Sequence, residues 1–115
     1  MSVSQFTLNL VEGSVSFSFS PQAARDLQSA IVLLMESLKA VAAKTAGGKA
    51  SGQKPMEYRY AGDVFFEVFC NPNIWPTPFA AKVLITVRDD RLRVTTEAQL
   101  SRLRDDLAQY LEQVG

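Results

Sequence analysis

The chain reads as an α+β domain. Several runs alternate apolar and polar residues with period two and fold back about short turns, while two other runs repeat apolar residues at three- and four-residue spacing. Runs of antiparallel strands separated by helices define that class, as distinct from regularly alternating parallel units. The expected order is β-β-α-β-β-β-α: an antiparallel sheet of two to three hairpins, with one long and one C-terminal amphipathic helix packed on one face. At 115 residues the chain suits one domain, residues 1–115, with a flexible internal tether at 45–55. A hydrophobic share of 47% against 21% charged is enough to build a core.

The first hairpin runs from Gln5 to Phe19. Phe6, Leu8 and Leu10 alternate before Glu12-Gly13, and Val15, Phe17 and Phe19 alternate after it. Folding about that turn pairs Leu10 with Val15, Leu8 with Phe17 and Phe6 with Phe19, so all six apolar side chains share a face. Thr7, Asn9, Ser14, Ser16 and Ser18 form the other, uncharged face. That face is expected to meet water or a second copy.

Ser20-Pro21 supplies a cap and a proline at the first helical position, and the run that follows to about Lys44 has no internal Gly or Pro. Leu27, Ile31, Leu34, Leu38 and Val41 make the core stripe, flanked by Ala24, Ala30, Met35 and Ala42. Val32 and Leu33 fall off it. Burial of the helix on more than one side is the simpler explanation; dimerisation through Leu33 and its neighbours is the sharper one. The tether, TAGGKASGQKP, is rich in glycine and poor in apolar residues. Its glycines and Lys54 do not make a phosphate-binding loop, which must end Gly-Lys-Ser/Thr and run from a strand into a helix.

Met56–Ala61 and Val64–Cys70 either pair about Gly62-Asp63 or merge into one bent strand. Val64, Phe66 and Val68 point to one side and Phe65 and Phe69 to the other, which suits a central strand. Glu67 interrupts the second side, and its expected cross-strand neighbours are Tyr58 and Tyr60. In the last hairpin, folding about Asp89-Asp90 sets Val87 against Leu92 and Ile85 against Val94. Lys82, Arg88, Arg91 and Arg93 then form a basic stripe on the other face. Thr96 and Gln99 have the spacing of a capping box, and Leu100, Leu103, Leu107, Tyr110 and Val114 mark the second helix.

Composition excludes much chemistry. The chain has no His and one Cys, so triads built on imidazole and zinc sites of thiolate and imidazole are impossible within one subunit. Asp89-Asp90 reads as a turn former and Asp105-Asp106 as a solvated helical face. No catalytic, cofactor or metal site is expected, and the protein is read as no enzyme. Twelve basic and twelve acidic residues cancel. MSVSQFTLNL has neither a basic start nor an apolar run, so no secretory leader is expected. Cys70 reads as a small buried hydrophobe in the reducing cytoplasm.

Two binding readings remain. The leading one is a small protein-interaction or assembly factor that meets a protein partner or itself as a homodimer, with no membrane involvement. Its evidence is NPNIWPTPF, where Pro72, Pro76 and Pro78 stiffen the backbone around Ile74, Trp75 and Phe79. The same three apolar residues would equally serve to cap the core. The alternative is a single-stranded nucleic-acid module that uses the basic ribbon 82–93, with Tyr58, Tyr60, Phe65 or Trp75 stacking on bases.

The order of elements, with a basic ribbon entering a C-terminal helix through VLITVRDDRLRVTTEAQLSRLRDDLAQYL, resembles the Whirly and transcriptional-coactivator group of single-stranded-DNA-binding folds. The resemblance covers about the last half of the chain and implies a dimer or higher oligomer whose sheet grips single strands. It matches no signature motif of that group and therefore assigns no residue a role. Profilin-like and roadblock-like interaction domains have a comparable order.

Overall fold

A computed structural model describes residues 5–47 and 52–114; residues 1–4, 48–51 and 115 lie outside it. The order is β1 (Gln5–Leu10), β2 (Gly13–Ser18), α1 (Pro21–Gly47), β3 (Met56–Ala61), β4 (Phe65–Cys70), β5 (Lys82–Arg88), β6 (Arg93–Gln99) and α2 (Leu100–Val114). The α+β class is as expected, and so is the order, with four strands between the helices because Met56–Ala61 and Phe65–Cys70 do not merge. Met56–Ala61 and Phe65–Cys70 are separate strands paired as a hairpin. Strands β1 and β2 form a two-stranded sheet, and β3-β4-β5-β6 form a four-stranded antiparallel sheet in chain order.

Helix α1 starts where its cap dictates: the Ala23 N–H donates to Ser20 Oγ at 3.1 Å and the Ala24 N–H to the Ser20 carbonyl at 2.9 Å. Leu27, Ile31, Leu34, Leu38 and Val41 are buried, as their spacing requires. Val32 and Leu33 are 57% and 67% exposed, so burial on several sides does not explain them. The helix runs to Gly47, three residues into the segment read as a tether. Residues 48–51 of that segment lie outside the described residues. Its last part is held, not free: Asn73 accepts from the Gln53 N–H through Oδ1 and donates to the Gln53 carbonyl through Nδ2, each at 2.8 Å.

Both outer hairpins differ from expectation by two residues, and for one reason. In the first, Leu8 faces Val15 and Phe6 faces Phe17, and Leu10 faces Gly13, whose φ of 105° only glycine adopts readily. In the last, Val87 faces Val94, Ile85 faces Thr96 and Arg88 faces Arg93. An even shift keeps every side chain on its face, so apolar pairing alone does not choose between the registers. The turns choose. Asp89 Oδ1 accepts from the Arg91 and Leu92 N–H groups, both at 2.8 Å, and builds a wider loop than an Asp89-Asp90 turn. Those bonds, Arg91's first, hold the Asp89 carboxyl below its ordinary value of 3.8. Leu92 consequently sits at the tip, 64% exposed.

Thr96 and Gln99 are strand residues and form no capping box. The full ladder from Lys82↔Gln99 to Arg88↔Arg93 takes them into β6, and α2 begins only at Leu100, whose N–H bonds the Ala81 carbonyl at 3.1 Å. Forming the ladder satisfies several backbone groups at once; starting the helix one turn earlier would break it.

One face of the four-stranded sheet is covered. Phe66, Val68 and Cys70 of β4 and Val83, Ile85 and Val87 of β5 are buried on that face beneath the helices and the β1–β2 hairpin. Asp106 completes this layer. It is 6% exposed, where a solvated position was expected, and its two carboxylate oxygens accept from the Asn9 N–H at 2.8 Å and from Asn9 Nδ2 at 2.9 Å. The contact pins α2 to β1 and caps part of the strand's outer edge. Asp106→Ala leaves both donors short of an acceptor and is expected to cost about 2 kcal/mol, whereas exposed Asp105→Ala should cost under about 0.5 kcal/mol. Urea midpoints of the two variants check this; equal midpoints would disprove the clamp.

Candidate functional site

The connection from Asn71 to Ala81 is a built object. Its first half is a 3-10 turn, Pro72–Ile74, capped by Asn71 Oδ1, which accepts from the Asn73 N–H at 3.0 Å. Its second half is another, Pro78–Ala80, capped by Thr77 Oγ1, which accepts from the Ala80 N–H at 3.2 Å. Each turn begins with proline, whose fixed φ suits the first position of a helical turn. Pro72 is buried and anchors the first turn against α1.

This frame separates the three apolar residues of the loop. Trp75 turns inward: it is partly buried against the core, where its side chain faces Cys70. Ile74 and Phe79 turn outward, 65% and 91% exposed. No residue from Asn71 to Ala81 is charged. A nearly naked phenylalanine on a stiff, neutral loop is a surface that loses little entropy on docking. Trp75 is part of what stiffens it.

The open face of the four-stranded sheet is the second candidate. Across its strands run the rows Ala61-Phe65-Arg88-Arg93, Arg59-Glu67-Thr86-Thr95 and Glu57-Phe69-Leu84-Glu97. Lys82 lies on the same face beyond them, opposite Gln99. Phe65 and Phe69 are half-buried here, and the Arg88 guanidinium lies 4.4 Å from the centre of the Phe65 ring. Glu67 meets Arg59 at 2.8 Å, not the tyrosines.

The nucleic-acid set is therefore divided. Lys82, Arg88 and Arg93 share the open face, while Arg91 sits in the β5–β6 loop. Tyr58 and Tyr60 belong to the covered face: Tyr58 Oη donates to the Ala23 carbonyl at 3.0 Å, and the Tyr60 ring packs edge-on against Phe19 at 4.9 Å. Burial first, then Asp26 and Tyr60, push the Tyr58 phenol above its ordinary range. Phe69, Leu84 and Arg59 were missed as surface residues. The period-two pattern places Phe69 and Leu84 opposite the core residues of their strands, but only the missing second layer shows that this side is open.

Among the described residues no group of His, Cys, Asp and Glu is placed to hold a metal, and no helix is long and apolar enough to cross a membrane. No family model, curated protein or solved structure matches the chain.

Burial pushes the Cys70 thiol from 9.0 up to about 11, against the opposing hydrogen bond from Trp75. A folded state that keeps a proton the unfolded chain releases loses stability as pH rises, here from about 9 to about 11. Cys70→Ala should remove that part of the alkaline decline, and the native thiol should resist a disulfide reagent at pH 8 until the protein unfolds. Rapid stoichiometric labelling of the native protein would show that the Trp75–Cys70 contact is open.

Proposed function

We propose that this protein is a non-enzymatic interaction or assembly factor that engages a protein partner through the 71–81 loop, in the cytoplasm. The observation that carries this reading is the 91% exposure of Phe79 on a capped, proline-initiated turn. Large apolar side chains at such exposure, held rigid, are the kind of anchor on which a few residues supply most of the binding energy. Ile74, on the first turn of the same loop, adds to the apolar surface. The absence of charge along the loop favours an apolar pocket on the partner over an electrostatically matched patch. A buried free thiol suits a reducing compartment.

A photo-crosslinking side chain at position 79, with one at exposed Val11 as control, should capture a partner at 79 alone. With that partner purified, Phe79→Ala and Ile74→Ala should each weaken binding about tenfold or more at unchanged thermal midpoint, with little salt dependence. Binding indifferent to Phe79→Ala would overturn the reading.

A second reading, a single-stranded nucleic-acid module, is favoured by the sharing of one face by Lys82, Arg88, Arg93, Phe65 and Phe69. It requires oligonucleotide binding that falls steeply between about 50 and 200 mM salt and on Arg88→Ala or Arg93→Ala.

A further inference from the structure

Strand β3 is an end strand of the four-stranded sheet, and no other strand takes up its outer backbone groups among the described residues. Natural end strands are usually blunted by proline, lysine, a bulge or a covering element. Strand β3, Met-Glu-Tyr-Arg-Tyr-Ala, contains neither proline nor lysine and pairs with β4 without a bulge, and its two charges, Glu57 and Arg59, are of opposite sign. The opposite end strand, β6, is flanked by β1. Within the four-stranded sheet, and among the described residues, β3 is the end strand that no other strand flanks.

Its side chains are self-complementary in one register. If a second copy of β3 pairs antiparallel about Tyr58, then Glu57 lies directly opposite Arg59 of the partner subunit, and by symmetry Arg59 lies opposite Glu57 of the partner subunit. Centring on Glu57 or on Arg59 instead sets like charges against each other, which destabilises a sheet. In the single chain Arg59 reaches Glu67 at 2.8 Å and Glu57 only at 3.7 Å, and both Arg59 and Glu57 remain more than half exposed. Glu57 is therefore held by its own chain only at the longer distance.

Helix α1 presents a matching flank. The Tyr58–Ala23 bond sets its N-terminal half over β3, and Val32, Glu36 and Lys39 line the groove it shares with α2. Leu33 takes no part in that groove. With Ala30, Ser37 and Ala40 it forms a stripe along α1 at three- and four-residue spacing, where small residues let two helices approach. A chain of net charge zero also carries no long-range repulsion against its copy.

We propose that two copies associate through antiparallel pairing of β3 about Tyr58, making one continuous eight-stranded sheet with the two α1 helices side by side at Leu33. This does not depend on the role of the 71–81 loop.

Light scattering and sedimentation equilibrium on the full chain test it. The wild type should have twice the mass of one chain. Glu57→Arg and Arg59→Glu should each weaken the dimer about tenfold or more by replacing two attractions with two repulsions. An equimolar mixture of the two variants should recover a dimer, because each then faces its opposite charge, and the double variant Glu57→Arg/Arg59→Glu should self-associate. Arg59→Glu also faces Glu67, so circular dichroism must show it folded; if it is not, Glu57→Arg and the double variant suffice. A wild type that stays monomeric at millimolar concentration, or a dimer whose affinity is unchanged by Glu57→Arg, overturns the proposal.

Discussion

The contact on which the rest of the structure depends is the aromatic cluster around Phe6 and Phe66. Phe6, at no measurable exposure, meets Phe17, Phe19 and Tyr110 at 5.4 to 5.7 Å, and Phe66 meets Phe17 at 4.7 Å and Phe19 at 5.6 Å. These rings come from β1, β2, the link into α1, β4 and α2. A two-stranded hairpin is marginal by itself in water. Here its apolar face is spent against a central strand of the larger sheet and the last turns of α2. The edge-to-face geometry of several of these pairs adds direction to what would otherwise be non-specific burial.

Committing the hairpin and both helices to one side leaves the other side of the sheet uncovered among the described residues. The covered face consumes Tyr58, Tyr60 and the thiol of Cys70. The bare face keeps Phe65, Phe69, Leu84 and four cations, with three carboxylates among them. Arg59 is neutralised by Glu57 and Glu67, while Arg88 settles on an aromatic ring. The 71–81 loop, in contrast, packs Pro72 and Trp75 inward and leaves Ile74 and Phe79 exposed. Trp75, partly buried against the core, helps to fix the loop from which they project.

Much of this was legible in the residues. The core stripe of α1 and its Ser20 cap, the faces of β1, β2, β4 and β5, and the burial of Cys70 follow from periodicity and composition, whereas the inward face of Tyr58 and Tyr60 in β3 does not. The pairings about the outer turns did not, because a strand pattern of period two is unchanged by a shift of two residues. Asp106 shows another limit: beside Asp105 on an amphipathic helix it looks solvated, and only the approach of Asn9 from ninety-seven positions away buries it. Thr96 and Gln99 show a third, since a cap signal four residues long lost to a ladder of seven paired residues.

What the residues alone determined is which side chains share a face, where α1 begins, and that imidazole chemistry is absent; these are local properties, set by spacing and side-chain type. Tertiary structure decided which faces are covered, which register each hairpin takes, and that Trp75 turns in while Phe79 turns out. Those outcomes depend on competition between distant groups for a single core. Turn hydrogen bonds at Asp89 and the left-handed backbone at Gly13 break ties that apolar pairing leaves open, and the aromatic cluster decides which side of the sheet is used up.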